Sequence, residues 1–293
     1  MKKYFIVVVF ISLVFEVQGQ SILDNLIIKK SLSQAWELDS IDKKGTFRFV
    51  SYKPVYITAA RWTSNPNTMP VSENPVYSAT EESEYNNFEA KFQISFKTKI
   101  LQSVFFGLGD IWVGYTQKAH WQVYNKTFSR AFRELNYEPE IIVNFPLKTK
   151  LFSGNIRQVG FSLNHQSNGK EIPLSRSWNR VIFDIGYEID NWIVNLRPWY
   201  RLKDKEDENP DITKYIGSME LYANYHYEKH EFYTIITHPL NSLKRGGIQI
   251  NYVFPIRGNI RAHAQLFHGY GETLLDYNHL QTTAGLGISF ANW

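Results

Sequence analysis

Residues 88–100 of this chain read Phe-Glu-Ala-Lys-Phe-Gln-Ile-Ser-Phe-Lys-Thr-Lys-Ile. Successive side chains of an extended strand point to opposite faces. Phe88, Ala90, Phe92, Ile94, Phe96 and Ile100 therefore share one face, and Glu89, Lys91, Gln93, Ser95, Lys97 and Lys99 share the other. The same alternation recurs over 54–62, 111–124, 137–147, 156–167, 178–189, 191–202, 214–227, 231–238, 247–256, 259–269 and 279–293, which makes twelve segments. Several are twice the length of a soluble sandwich strand, usually about 5–6 residues. An even number of strands of about ten residues or more is what a bacterial membrane barrel requires. Closure also pairs every backbone group that lipid cannot hydrogen-bond. The pattern predicts an all-β fold, a twelve-stranded antiparallel transmembrane β-barrel over residues 52–293, in the outer membrane of a Gram-negative bacterium.

The ends and the composition agree with that fold. Lys2 and Lys3, the apolar run Tyr4–Phe15 and the small-residue site Val17-Gln18-Gly19 read as a secretory signal over 1–19. That run is short for a membrane helix, which needs about 20 apolar residues. Residues 20–51 form an N-terminal arm in which Ser31–Leu38 reads as a short helix or a plug. The last strand ends on an aromatic residue, Trp293, which resembles the assembly signal of outer-membrane proteins. Mean hydropathy is −0.33, against a helical membrane protein. Aromatic residues make up 16% of the chain, which suits the girdles of an outer-membrane barrel. No cysteine is present, which excludes disulfides, thiol catalysis and cysteine metal sites. The net charge of +4 falls to +3 without the signal, and no concentrated basic patch points to nucleic acid.

Two neighbouring segments carry chemistry: Asn164-His165-Gln166-Ser167-Asn168-Gly169 and Ser175-Arg176-Ser177-Trp178-Asn179-Arg180. Val159, Phe161, Leu163, His165 and Ser167 share one strand face. Asn179, Val181, Phe183, Ile185, Tyr187 and Ile189 share a face on the next strand, and a short loop makes the pair a hairpin. A base, a hydroxyl and an amide able to orient the base are the parts of a hydrolytic site. Their place on an apolar face predicts an apolar substrate. A pore or a structural barrel is the rival reading, and it would place its functional polar groups in the lumen. Gln117 shares a face with Val113, Tyr115, Ala119, Trp121 and Val123. It would meet either its own copy across a two-fold axis or water at the rim. Lys91, Arg197, Glu220 and Arg261 read as an interior network or as channel-lining groups. His226 and His230 fall at a strand end and turn, where they would not form a helical metal pair.

These segments resemble the outer-membrane phospholipase A family. So do Tyr115-Thr-Gln-Lys118, Phe132-Arg-Glu-Leu-Asn-Tyr-Glu-Pro139, Asn209-Pro-Asp-Ile-Thr-Lys-Tyr215, Gly269-Tyr-Gly-Glu272 and Asp276-Tyr-Asn278. The resemblance spans the chain from about residue 52. It implies a calcium-dependent serine esterase that hydrolyses acyl esters of glycerophospholipids, with A1, A2 and lysophospholipase-type activity, and that works as a homodimer. It implies Ser167 as nucleophile, His165 as general base, Asn179 as the residue holding the imidazole, and the Gly169 N–H as oxyanion donor. It implies calcium ligands from the Ser175 side chain and the Lys170 carbonyl, with Ser129 supplied by the second subunit, and it places Gln117 at the dimer interface. Oxygen-only ligation of this kind suits calcium. Two departures stand out: Lys170 replaces an arginine of the family pattern, and Thr127-Phe-Ser-Arg-Ala131 differs from it.

Overall fold

The computed structural model describes residues 30–238, 244–258 and 260–290. The signal segment and residues 291–293 lie outside the described residues. Thirteen strands occupy twelve positions around one closed antiparallel barrel. They are β1 Phe49–Ser51, β2 Tyr56–Thr63, β3 Phe88–Leu101, β4 Asp110–Trp121, β5 Phe132–Leu151, β6 Gly154–Ser167, β7 Ser177–Ile189, β8 Trp192–Leu202, β9 Met219–Tyr227, β10 His230–Thr237, β11 Gly247–Arg257, β12 Ile260–Gly269 and β13 Gln281–Ser289. β1 and β2 share one position, since both pair with β3: β1 at Phe96–Thr98 and β2 at Phe88–Gln93. The ring closes through β13 with β2 and through β3 with β4.

The alternation runs inside out, as lipid requires. In β3 every second residue from Glu89 to Lys99 is charged or polar and buried, while Phe88 and Ile94 are exposed. Charges turned inward need partners, because desolvating an unpaired ion costs several kcal/mol. Arg61 bridges Glu89 and Glu272, Lys91 joins Glu272 at 2.9 Å, and Arg133 links Glu89 to Asp276 at 3.0 and 2.9 Å. Arg197 meets Glu140, Asp184 and Glu220, and Arg261 meets Glu231 at 2.5 Å. The Coulomb gain of such pairs is largely offset by desolvation. Their main effect is to tie distant strands into one arrangement.

Both ends of the lumen carry an apolar cluster. At one end the arm folds inward: α1, Leu32–Trp36, packs Leu32 and Trp36 with Leu38 against Trp112, Ile142 and Ile193. Ser31 caps this helix with Gln34 in a reciprocal capping box. Asp39 anchors the arm to Lys148 and Arg157, each at 2.6 Å. The hydrogen bonds from Lys148 and then Ser33 hold its carboxyl down to about 2. At the other end α2, Ile212–Tyr215, and the loop 270–280 pack Ile212, Ile216, Leu274 and Tyr277 against Trp178, Ile182 and Trp199. Long loops occupy this second rim, and two-residue turns such as 152–153 and 190–191 occupy the first. That asymmetry is usual in outer-membrane barrels.

Three boundaries differ from expectation. The strand expected from 214 starts at Met219, because Ile212–Tyr215 coils into α2 to bury Ile212. The strand expected over 137–147 runs from Phe132 to Leu151. The first strand is split in two, with β1 inside the segment read as arm. His226 and His230 lie on different strands, and among the described residues no cluster of three metal-ligating acids or histidines exists.

Candidate active site

Strands β6 and β7 meet in a register that sets His165 opposite Asn179 and Ser167 opposite Ser177. The outward face of this hairpin carries Phe161, Leu163, His165 and Ser167 on β6, and Asn179, Val181, Phe183 and Ile185 on β7. His165 Nδ1 lies 2.7 Å from Asn179 Oδ1. An amide oxygen only accepts, so the ring nitrogen facing it carries the proton. Nε2 is then the basic nitrogen. Ser167 follows two residues on, on the same face, at the last position of β6. Leu163 and Phe183 nearby are each 53% exposed, so the polar group borders an apolar surface.

The inward face pins that register. The rungs on either side of His165–Asn179 are Asn164–Arg180 and Gln166–Trp178. Arg180 donates to Asn164 Oδ1 at 3.0 and 2.7 Å and to Glu138 at 3.0 Å. Trp178 Nε1 donates to Gln166 Oε1 at 2.8 Å, and the Arg180 guanidinium lies over its indole at 4.1 Å. A slip of one residue between the two strands would turn either His165 and Ser167 or Asn179 into the lumen. It would also break every one of these contacts. The rigid core behind β7 thus sets the geometry of the lipid side.

The connecting loop 168–176 is braced from within. Asn168 Oδ1 accepts from Arg176 N at 2.9 Å, and its Nδ2 donates to the Leu174 carbonyl at 2.8 Å. Arg176 is fully buried and donates to the carbonyls of Pro173, Ser175, Val71 and Tyr77. Burial pushes its pKa below the usual guanidinium value, with Tyr277 and nearby carboxylates acting against that. Gly169 takes φ +64°, the left-handed region that suits glycine. A Cβ there would lie 3.1 Å from the Tyr137 ring, so the loop turns tightly beside Ser167, which pairs with Tyr137.

The remaining residues singled out from the sequence are placed as follows. Ser175 Oγ donates to Glu208 Oε1 at 2.6 Å, and Glu208 Oε2 is buried with no hydrogen-bond partner among the described residues. Lys170 sits in the same loop, its N–H on Asn168 Oδ1 at 3.3 Å. Ser129 lies at φ +51° in the β4–β5 loop on the same rim, its backbone N–H bonded to Lys126. No hydrogen bond among the described residues joins it to Ser175. Gln117 is outward on β4 and accepts from Tyr115 Oη at 3.2 Å. Two carboxylates near the site have no counterpart in the sequence reading: Glu208, and Asp204, which accepts from Asn179 Nδ2. Both lie in the loop 203–211, where no periodicity announces a contact. The one signal was position, since Glu208 directly precedes the Asn209–Tyr215 motif.

A family model described as Phospholipase A1 matches residues 32–290. The chain belongs to the phospholipase A1 family. It is 36% identical over 200 residues to the phospholipase A1 of Escherichia coli K12, covering 68% of each chain. The outer membrane phospholipase A structure from Escherichia coli aligns with TM-score 0.76 and 31% identity, over 83% of this chain and 94% of that one. The Salmonella typhi outer membrane phospholipase, solved as a dimer with bound calcium, aligns with TM-score 0.76 and 32% identity, over 84% and 93%. As a phospholipase A1 family member the barrel is an outer-membrane hydrolase. The placement of polar groups agrees: the lumen is crossed by ion pairs, and the His–Ser–Asn group faces outward.

Proposed function

We propose that this barrel hydrolyses the acyl esters of glycerophospholipids, at both A1 and A2 positions and in lysophospholipids, with Ser167, His165 and Asn179 as its catalytic group. The contact between His165 Nδ1 and Asn179 Oδ1 on the lipid-facing surface, with Ser167 beside it, carries this reading. Lipid reaches the site sideways from the leaflet, its acyl chains along the apolar face of β6 and β7. His165 Nε2 takes the Ser167 proton as Oγ attacks the ester carbonyl. The imidazolium then returns the proton to the leaving alcohol. Water, activated by the same nitrogen, releases the fatty acid. The Gly169 N–H, held by the left-handed turn, donates to the developing oxyanion.

The neutral Asn179 fixes the tautomer of His165 and supplies no counter-charge to the imidazolium. Losing one hydrogen bond to a charged partner costs about 1.5–3 kcal/mol, a factor of roughly ten to a hundred. Asn179→Ala therefore retains measurable turnover, about tenfold to a hundredfold below wild type, while His165→Ala is nearly inactive. Steady-state fatty-acid release from mixed micelles measures both. Equal activity of Asn179→Ala and wild type would reduce Asn179 to a polar rim residue.

The loop 168–176 also has the donors of a calcium site. Ser175 Oγ, the Lys170 carbonyl and Ser129 of the partner subunit would form an oxygen-only set, which suits a hard dication. Glu208 Oε2, buried near Ser175 and without a hydrogen-bond partner among the described residues, fits such a site and would add a carboxylate to it. Held by these residues, calcium would supply positive charge to support a developing oxyanion. The homodimer would pack the outer faces of β3–β5 together, with Gln117 of each copy exchanging its Tyr115 contact for one across the axis.

A further inference from the structure

Behind Asn179 lies a fourth group. Asp204, two residues past the end of β8, accepts from Asn179 Nδ2 through both carboxylate oxygens, at 3.1 and 3.3 Å. Asn179 pairs with Leu202 in the sheet, so the chain leaving β8 passes close to the amide. The loop that follows is held in place. Arg201 donates to Asp207 at 2.5 Å and to the Pro210 carbonyl at 3.0 Å. Asn74 and Ser72 donate to the carbonyls of Asp207 and Glu208 at 3.1 and 2.7 Å.

An asparagine side chain presents an acceptor at one corner and a donor at the other, in nearly the same shape. Reversed, Asn179 would offer an N–H to His165 Nδ1. The ring would then carry its proton on Nε2 and could not accept one from Ser167. Opposite an ionised carboxylate, which only accepts, the amide has one orientation: NH2 toward Asp204, oxygen toward His165. We propose that Asp204 is the positioning residue that fixes the polarity of Asn179 and thereby the tautomer of the catalytic histidine. Its charge also polarises the amide toward the imidazolium, a chain of hydrogen bonds in which each strengthens the next. A neutral amide in the third position thus draws on a carboxylate one bond further back. The inference rests on the Ser167–His165–Asn179 reading.

Asp204→Asn keeps the size of the side chain and the loop, and removes both the charge and the acceptor-only character. We expect kcat to fall about tenfold, the worth of one charge-assisted hydrogen bond, with KM unchanged. In an Asn179→Ala background the same substitution costs nothing further, because its route to His165 is gone. Nitrogen-15 spectra of histidine-labelled protein, with His165 assigned from His165→Ala, show the Nδ1–H tautomer in wild type and a growing Nε2–H population in Asp204→Asn. Wild-type kcat in Asp204→Asn overturns the proposal. So does a loss that persists undiminished in the Asn179→Ala background, or one that leaves the tautomer untouched, since either places Asp204 in a structural role. Ser167→Ala separates the two levels. If Ser167→Ala is inactive and Asp204→Asn is normal, only the positioning role fails; if Ser167→Ala turns over, the catalytic group itself is misassigned.

Discussion

Ser167→Ala abolishes phospholipid hydrolysis and leaves the barrel folded. The expected loss is about 10^4-fold or more, the scale on which removal of a serine nucleophile acts. The substitution deletes one oxygen at the half-exposed last position of β6, where it empties no core and strands no ion. Substitutions of this kind change stability by about 0.5 kcal/mol or less. Strand content by circular dichroism and the unfolding midpoint should match wild type while fatty-acid release disappears. A variant that lost both would report a folding defect, and the His165–Asn179 rung would then have to be probed at His165.

The second large effect concerns calcium and the dimer. Chelation should lower turnover by about 10^2- to 10^3-fold, the cost of losing one stabiliser of an oxyanion. Added calcium should restore it. A ligand bound only by the dimer stabilises that state, so activity, calcium occupancy and crosslinkable dimer should rise along one titration curve. Ser175→Ala shifts all three to higher calcium. Gln117→Ala weakens the dimer and leaves the His165–Asn179 bond as it is, because Gln117 lies on β4, away from the β6–β7 hairpin. Full turnover in chelator by a dilute, demonstrably monomeric sample would remove calcium and the dimer from the mechanism.

The wall of the barrel was legible in the sequence because lipid makes the pattern strict. A strand between hydrocarbon and a polar lumen must alternate, so Phe88 to Leu101 shows its two faces without any tertiary information. The same period of two put His165, Ser167 and Asn179 outward, and the β6–β7 register sets His165 opposite Asn179. Legibility ended where the alternation did. The segment from 214 resembles a strand start, yet Ile212–Tyr215 coils into α2, which places Ile212 and Ile216 in the buried cluster with Trp178 and Trp199. At the start of β5 Arg133 and Glu134 are both buried beside a register shift, which hides five residues of strand from a pattern search. Inward charges could be recognised as inward, but the pairing of Arg61 with Glu89 and Glu272 depends on which strands the closure brings opposite. Asp204 and Glu208 belong to the same class. They act across a loop whose path is set by Arg201, Asn74 and Ser72, and no local pattern encodes that path.

Covalent labelling tests the central claim, a lipid-facing serine nucleophile, most directly. Purified protein is treated with a long-chain sulfonyl fluoride in micelles, then digested and mapped by mass spectrometry while fatty-acid release is followed. The predicted result is a single adduct on Ser167, with loss of hydrolysis in proportion to labelling and no adduct in His165→Ala. Full hydrolysis by protein labelled completely at Ser167, or inactivation by an adduct on another residue, would contradict it.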